Sequence, residues 1–290
     1  MIKSKATRIG DAVIIILCLL LMFICLLPML NVLARSLSSS EFLIRNEVLL
    51  WPKGFNTDAY TTVLNNSKYQ HSMIFTAGLT VLCTLLSLTM TVFCAYPLTY
   101  DNLKGGSFLN GIIIFTMYFS AGTIPNYLLI KSLGLLENWW VLVIPNCLSV
   151  YNMIIMRSFF FSVPDSLREA AEIDGAGPIR TLFSVYLPLS TSVLATLALF
   201  YAVGRWNGFS DALLYIKSKE EYFPIQLYLY NILQNSTNAE IATQEGFSNP
   251  GLAETVKMAT VMFATVPILL VYPWLQRYFV TGVTIGAVKG

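Results

Sequence analysis

The stretch VPDSLREAAEIDGAGPIRTLFSVYLPLS, Val163–Ser190, contains the signals of two short helices joined by a glycine. Ser166 followed three residues later by Glu169 forms a capping box, which predicts a helix that starts one residue after the serine. Gly175 supplies the left-handed conformation that a helix C-cap favours, and Pro178 fits the first turn of a second helix because no N–H is needed there. The sequence therefore predicts a helical hairpin with its elbow at Gly175.

The first of these helices has a narrow apolar stripe made mostly of small side chains. The stripe recurs at i, i+3, i+4 and i+7 and consists of Leu167, Ala170, Ala171 and Asp174. Such a stripe is too narrow to anchor a core, but it lets the helix backbone lie deep in the groove of a partner. Arg168 and Glu172 lie one turn apart and are expected to pair on the exposed side. We interpret this segment as a docking helix.

Long runs without Asp, Glu, Lys or Arg flank this loop, and four more occur in the rest of the chain. A transmembrane helix needs roughly 20 apolar residues. The predicted spans, approximate to a residue or two, are 12–34, 72–98, 107–130, 138–158, 182–204 and 257–277, with an inner loop at 163–186. A content of 56% hydrophobic and 12% charged residues, with a mean hydropathy of +0.64, leaves too little polar surface for a soluble globule. We predict an all-α membrane protein with six transmembrane helices in a single domain, residues 1–290.

Several classes of function are excluded by what the spans and loops contain. The formal net charge of +2, without any run of Lys or Arg, argues against a nucleic-acid partner. The five cysteines lie inside the apolar runs and lack the spacing of a metal site. The only histidine, His71, lies at the outer end of the second span, so neither a metal centre nor a catalytic constellation is predicted. The chain has no G-x-x-x-x-G-K-[ST] motif, so energy must come from a partner.

Six spans place both termini on the same side of the membrane. With the termini inside, nine of the 18 basic residues lie on inner segments and nine on outer ones, most of them in two long loops where the positive-inside rule is weak. The short turn at 101–106 and three basic residues near the N-terminus favour cytoplasmic termini. We interpret the N-terminal apolar run as an uncleaved helix, because it is long for a signal peptide and no clear cleavage site follows. The turn at Trp51–Gly54 and an interfacial helix at Ile225–Leu233 are expected in the outer loops.

A family resemblance rests on motifs spread over nearly the whole chain. The main ones are Glu169-Ala170-Ala171, Asp174-Gly175-Ala176, Leu187-Pro188-Leu189 and the closing Gly286-Ala287-Val288-Lys289-Gly290. They resemble the EAA loop and the tail of permease subunits of bacterial ABC importers, in the carbohydrate branch of MalG-like permeases and, within it, the LplC/YtcP type of oligosaccharide permeases. The sequence departs from the pattern at Ser192, where many relatives carry a second proline.

The resemblance implies the fold of a type I ABC importer permease that is itself not an enzyme. The implied partners are a second, homologous permease, two ATPase subunits that bind ATP and Mg, an external solute-binding protein and membrane lipid. No cofactor is expected in this chain. The implied location is the bacterial cytoplasmic membrane, and the implied ATPase-coupling residues are Ser166, Glu169, Ala170, Ala171, Asp174, Gly175, Ala176 and Pro188. The resemblance also implies that the tail touches the ATPase dimer through Gly286 and Lys289.

Polar and aromatic residues within or beside the spans are candidates for a sugar pathway, since sugars bind by aromatic stacking and hydrogen bonds. These candidates are Asn126, Tyr127, Asn146, Tyr151, Asn152, Tyr201, Trp206 and Asn207. An aromatic belt at the membrane surface explains the tryptophans and tyrosines as well, and hydrogen bonds between helices explain the asparagines. Two alternatives to an importer subunit remain: a secondary carrier or facilitator that needs no ATPase, and a membrane scaffold that transports nothing.

Overall fold

The computed structural model describes residues 5–100, 102–235 and 250–287. Within these ranges the chain is helical, and the β-pairing consists of one isolated bridge between Ser38 and Phe55. The helices are α1 Lys5–Ser36, α2 Ser40–Ile44, α3 Asp58–Asn65, α4 Ser67–Ala95, α5 Gly106–Tyr118, α6 Thr123–Ser132, α7 Val150–Phe160, α8 Asp165–Ile173, α9 Pro178–Thr181, α10 Leu187–Leu189, α11 Thr191–Asn207, α12 Ser210–Tyr215, α13 Ile225–Asn235 and α14 Pro250–Ala287. The all-α class is confirmed.

Three of the described segments are helices long and apolar enough to cross a bilayer, and three more qualify only as bent pairs. The continuous ones are Gly10–Ser36, Ser67–Thr99 and Ala253–Val271. The bent pairs are Gly106–Tyr118 with Thr123–Ser132, Trp139–Asn146 with Val150–Phe160, and Pro178–Leu189 with Thr191–Asn207. The first, second and sixth predicted spans thus fall on long helices, whereas the three central ones are broken.

The third predicted span, 107–130, is two helices that meet at 114°. The break occupies residues 119–122, where Gly122 has a φ of 91°, a conformation that glycine adopts without the steric cost of a side chain. Pro125 follows in the first turn of α6, where an N–H has no partner within the helix. The charge-free run therefore indicates an apolar segment here, but it does not show whether that segment is one straight helix.

The fourth predicted span, 138–158, bends by 43° between two short 3₁₀ turns and α7. The turns are Trp139–Leu142 and Ile144–Asn146, the second with a proline in its first turn. Ser149 then caps α7 by accepting the backbone N–H of Asn152 at 3.4 Å.

The fifth predicted span, 182–204, turns through 84° near its start. A π-helical turn at Leu182–Tyr186 leads into Pro188, which cannot donate the N–H that would continue the helix. The buried Ser190 follows, and the straight helix α11 begins only at Thr191. The part of this span before Thr191 therefore belongs to the loop hairpin.

Backbone contacts gather the chain into two units, the first consisting of residues 1–70 and 228–266. In this unit Arg35 of α1 forms an ion pair with Glu254 of α14 at 3.1 Å. Its loop regions pack on a small core of Ala34, Leu43 and Val48.

The second unit consists of residues 71–227 and 267–290 and contains the larger core of those described. Its buried side chains come from α4 and the residues just after it, α7, the π-helical turn and α11, and include Val92, Tyr96, Met153, Met156, Phe160, Tyr186 and Leu197. This core lies directly behind the loop at 163–186, so the loop rests on a rigid base.

Both structures expected in the outer loops are present. Gly54 has a φ of 60°, and a Cβ there would lie 2.7 Å from the Ser39 Oγ, so the turn at 51–54 requires glycine. A helix is present at the expected position, α13 Ile225–Asn235, with Ile225 and Leu227 buried within the protein; its location at a membrane interface stays a prediction.

Candidate functional site

The loop hairpin begins with α8, but its predicted N-terminal cap is wrong. The helix starts at Asp165 with Pro164 as its N-cap, and the structure gives no side-chain capping bond there. Ser166 therefore lies inside the first turn instead of before it. Two features favour the earlier start: Pro164 has the extended backbone that an N-cap needs, and the Asp165 carboxylate is stabilised by the positive end of the helix dipole.

The predicted C-terminal elbow of α8 is confirmed. Gly175 has a φ of 77° and donates its N–H to the Glu172 carbonyl at 3.0 Å. The next residue, Ala176, donates to the Ala171 carbonyl at 2.9 Å, which completes a Schellman motif. Pro178 then opens α9, as the sequence predicts. The elbow therefore depends on a backbone conformation that favours glycine.

Arg168 does not lie on the exposed side of α8, contrary to the sequence interpretation. Its side chain is only 19% exposed, and its guanidinium lies 5.2 Å from the centre of the Tyr100 ring. It pairs with Asp165 at 3.0 Å and approaches Glu172 at 3.9 Å. Burial would lower the pKa of this guanidinium, but Asp165 and other nearby groups raise it above its ordinary value, so the side chain stays cationic.

The ring beneath Arg168 belongs to an aromatic cluster that joins the hairpin to the core. The Tyr96 and Tyr100 hydroxyls lie 2.6 Å apart, and the Tyr96 hydroxyl donates to the Pro178 carbonyl at 3.0 Å. Tyr96 also packs edge-on against Tyr186 and Phe160, with ring centres 5.0 and 6.1 Å apart. The hairpin is therefore packed through aromatic rings against the residues just after α4 and against Phe160 of α7.

We expect Arg168→Gln to weaken the attachment of α8 by about 1 kcal/mol, because it removes the cation from the face of an aromatic ring and breaks the pair with Asp165. If α8 transmits force, the amount of substrate imported per ATP hydrolysed should fall. Arg168→Lys keeps the charge but not the planar guanidinium. Its import of substrate per ATP should therefore lie between the values of the wild type and Arg168→Gln. Arg180→Gln, an exposed arginine of the same hairpin, is the control. An unchanged ratio for Arg168→Gln would contradict this role.

The exposed surface of the hairpin includes large apolar side chains. They are Leu167, Ile179, Phe183 and Ile173, with 42%, 68%, 56% and 85% of their surface exposed. Of the predicted coupling residues, Ser166, Glu169, Ala170, Asp174 and Gly175 are exposed, and Ala171 and Ala176 are half-buried. Pro188 is exposed at the start of α10, next to the 84° bend. An apolar surface of this kind on a polar loop is typical of a binding surface.

Two cavities lie in the second unit beside the break in the fourth span. The smaller, about 460 Å³, is lined by Cys83, Ser87, Asn146, Ser149, Asn152, Phe200, Tyr201, Gly204, Arg205, Gly208, Ser210 and Asp211. The larger, about 840 Å³, is lined by Ser120, Gly122, Thr123, Asn126, Leu129, Ile130, Pro145, Asn146, Ser210, Asp211, Leu213, Leu214 and Tyr215. Asn146, Ser210 and Asp211 line both cavities, and we call these three residues the shared wall.

A buried ion pair that the sequence reasoning missed supports the shared wall. Arg205 is 8% exposed and holds Asp211 in a forked arrangement, with Nη1 to Oδ2 at 2.6 Å and Nη2 to Oδ1 at 3.2 Å. The same two nitrogens donate to the carbonyls of Leu142 and Gly208 at 3.1 and 3.0 Å. Arg205 lies one residue beyond the charge-free run, so a search for charges inside the spans could not find it. An Arg with an Asp six residues later was the available signal.

The predicted pathway residues separate into three groups. Asn126 and Asn146 line the larger cavity, and Asn146, Asn152 and Tyr201 line the smaller one. The ring of Tyr127 stacks on that of Tyr215, a lining residue of the larger cavity, at 6.1 Å. The others lie elsewhere: Tyr151 is 56% exposed, Trp206 lines a separate apolar cavity, and Asn207 donates to the Val203 carbonyl of its own helix.

Tyr201 has a structural role as well as a place in the cavity wall. Its hydroxyl lies 2.7 Å from the Thr91 hydroxyl and accepts the backbone N–H of Ser149 at 3.2 Å. These bonds connect α11 with α4 and with the start of α7. The ring is therefore available to a ligand, whereas the hydroxyl is already engaged.

Glu137 organises the loop that follows α12. Its carboxylate accepts the backbone N–H groups of Lys217, Ser218 and Lys219 at 2.9, 3.1 and 3.4 Å. The N–H of Lys217, and then those of the next two residues, lower the pKa of this carboxyl below its ordinary value.

A lowered pKa means that this anchor stabilises the loop above the ordinary glutamate pKa and is lost as the pH falls through the lowered value. Glu137→Gln should therefore accelerate hydrogen exchange of the amides at 217–219 several-fold at neutral pH, after correction for intrinsic rates. The wild type should lose the same protection only in acid. Glu47→Gln, which removes an exposed pair with Lys53, should leave these amides unchanged. Equal exchange in Glu137→Gln and wild type would contradict the anchor.

The remaining predicted positions are at the chain end and at the histidine. Gly286 belongs to the last turn of α14, and Lys289 lies outside the described residues. His71 Nε2 lies 2.9 Å from the Glu221 carbonyl.

Comparison with known proteins shows the family to which the chain belongs. Residues 79–285 match the family described as binding-protein-dependent transport system inner membrane component, so the chain belongs to this family of membrane permeases. It is 37% identical to the polygalacturonan/rhamnogalacturonan transport system permease protein YtcP of Bacillus subtilis (strain 168), over 98% of this chain and 99% of that one. It is 39% identical to protein LplC of the same organism, over 99% and 97%. A solved structure of a bacterial ABC transporter involved in the import of the acidic polysaccharide alginate aligns with a TM-score of 0.88 and 34% identity, over 96% of this chain and 99% of that one.

Proposed function

We propose that this chain is the permease subunit of an ATP-binding-cassette importer that carries an oligosaccharide across the bacterial cytoplasmic membrane. The observation that carries the proposal is the exposed hairpin at 163–186, with its glycine elbow and apolar outer surface. A permease moved by a separate motor needs such a surface, whereas a secondary carrier does not. The names of the similar permeases support a carbohydrate as the cargo.

We propose that the single domain crosses the membrane six times, with each bent pair acting as one crossing and both termini in the cytoplasm. The three long helices and three bent pairs support this number. Bends inside a span are tolerated where the freed backbone groups face protein or a water-filled cavity. The breaks in the third and fourth spans lie beside the two cavities, whose linings include the polar residues Ser120, Asn146 and Ser149, in agreement with that requirement.

The proposed assembly contains a second, homologous permease, two ATPase subunits that bind ATP and Mg, and an external solute-binding protein. The name of the family supports the last partner. The lack of a phosphate-binding loop motif in this sequence supports separate ATPases. Long apolar surfaces on α1 and α5, such as Ile16, Phe23 and Phe115, are available for lipid and for the second permease.

Coupling would proceed from the ATPases inward. Closure of the ATPase dimer on ATP moves α8. The position of α8 in a cleft of the ATPase subunits depends on Leu167, Ile173 and the exposed small residues. Arg168 and the tyrosine cluster pass that motion to α4 and α7. Because packed cores switch between discrete arrangements, a small displacement at α8 can alternate access to the cavities. The proposed tail contact through Gly286 and Lys289 would add a second attachment to the ATPases.

The experiment is uptake by vesicles that contain the reconstituted importer, with binding protein outside and ATP inside. The proposal predicts uptake of an oligosaccharide that requires hydrolysable ATP and stops when the ATPase subunits are omitted. Uptake that persists without any ATPase subunit would favour a secondary carrier, and no uptake of any oligosaccharide would overturn the proposed cargo.

A further inference from the structure

The shared wall of Asn146, Ser210 and Asp211 lines two cavities of about 460 and 840 Å³, and each has both polar and apolar lining residues. Cavities of this size accommodate small ligands. We infer that the shared wall is a binding site for an uncharged, hydroxyl-rich stretch of carbohydrate. This inference rests on the proposed function and adds the charge class of the ligand and the residues that select it.

The charges at the wall balance. Among the described residues that line the two cavities, Arg205 is the only cation and Asp211 the only anion. Both terminal nitrogens of Arg205 already donate to Asp211 and to backbone carbonyls. The net charge of the pair is therefore zero. The two terminal nitrogens of the guanidinium, which are the groups with which arginine binds carboxylates and phosphates in a forked arrangement, are already engaged.

A hydrogen bond crosses the wall. Asn146 Nδ2 donates to Asp211 Oδ2 at 3.3 Å, the longest of the four bonds that this carboxylate accepts. A sugar hydroxyl can replace it by donating to Asp211 Oδ2 while it accepts from the freed Asn146 amide. The ionised carboxylate of a uronate can only accept, and its charge would face the Asp211 carboxylate. The wall thus favours a group that both donates and accepts.

Aromatic rings lie on both sides of this wall. Phe200 and Tyr201 line the smaller cavity, and Tyr215 lines the larger one. Their rings offer apolar surfaces on which the C–H face of a sugar can stack while its hydroxyls reach the wall. The inferred preference differs from the acidic polysaccharide named for the similar solved importer, so the two are distinguishable by experiment.

The test is equilibrium binding to the purified assembly of both permeases and the ATPases, without the solute-binding protein. The probes are neutral pentasaccharides of glucose, galactose and xylose, and pentagalacturonate. We expect at least one neutral probe to bind about tenfold more tightly than pentagalacturonate, as for a hydrogen bond to a charged group. Asn146→Ala should weaken the neutral probe by a similar factor. Ser210→Lys, which adds a free cation to the wall, should shift the ratio toward pentagalacturonate by about tenfold.

The control is Ser218→Lys, which adds the same charge on an exposed outer loop and should leave the ratio unchanged. Tighter binding of pentagalacturonate by the wild type, an unchanged ratio in Ser210→Lys, or binding of no probe would each overturn the inference. ATP-driven oligosaccharide uptake by the same preparation tests the proposed function separately. An importer that takes up an oligosaccharide but fails the binding test refutes only the inference.

Discussion

Gly175→Val is expected to reduce both ATPase co-purification and ATP-driven uptake by about 5- to 30-fold. Gly175 holds a φ of 77°, a conformation that costs a side-chain-bearing residue roughly 1–2 kcal/mol and a β-branched one more. A Cβ at this position meets nothing within 4 Å, so the cost arises from the backbone and not from a clash within the chain. Relief of the strain would break the two hydrogen bonds of the elbow and redirect α8. A change of one or two kcal/mol corresponds to that 5- to 30-fold range.

The chain offers a matched control two residues later. Gly177 has a φ of −71° and a ψ of 167°, which valine adopts readily, and a Cβ there also meets nothing within 4 Å. Gly177→Val should therefore retain coupling. Gly175→Asn, a residue that tolerates the left-handed region, should lose less than Gly175→Val. Equal losses in both valine variants would show that bulk, and not the elbow conformation, is what matters.

Asp211→Ala is expected to lower the free energy of unfolding by about 3–5 kcal/mol. The change leaves the Arg205 guanidinium, whose side chain is 7% exposed, buried without its counter-ion. It also removes the acceptor for the Ala212 N–H and for the Asn146 amide. The measurement is thermal unfolding of the purified permease in detergent, in which the variant should melt well below the wild type.

The second partner of the pair provides the control for this prediction. Arg205→Met combined with Asp211→Ala removes the stranded charge and should be clearly more stable than Asp211→Ala alone. The carbonyls of Leu142 and Gly208 would lose a donor in the double variant, so full recovery is not expected. If the double variant is as unstable as Asp211→Ala, the claim that Asp211 neutralises the buried charge of Arg205 is contradicted.

Features that depend on local chemistry were predictable from the sequence. The elbow at Gly175 and the start of α9 at Pro178 follow from conformational preferences of single residues, and both are confirmed. The capping box was wrong because two competing local signals, Pro164 and Asp165, start α8 earlier. Charge-free runs located apolar helices but could not reveal the breaks at Gly122 and Ser190. The hydropathy of a segment is the same whether its helix is straight or bent.

Features that depend on distant contacts were not predictable. Arg168 and Glu172 looked like an exposed helical pair, because nothing in the local sequence indicates that the Tyr100 ring lies beneath the guanidinium. The two cavities require Asn146, which precedes α7, to face Asp211 of α12, 65 residues later in the chain. The asparagines were predicted from residue type alone. The ion pair of Arg205 and Asp211, which leaves their surroundings without net charge, was missed.

The most direct test of the central claim, that the hairpin at 163–186 is moved by a separate ATPase, is hydrogen exchange of the permease with and without the ATPase subunits. We expect the amides of Asp165–Ile173 to exchange much more slowly in the assembled importer, while those at 217–219 are unaffected. Unchanged exchange in Asp165–Ile173 in an assembly that hydrolyses ATP and imports substrate would contradict the claim.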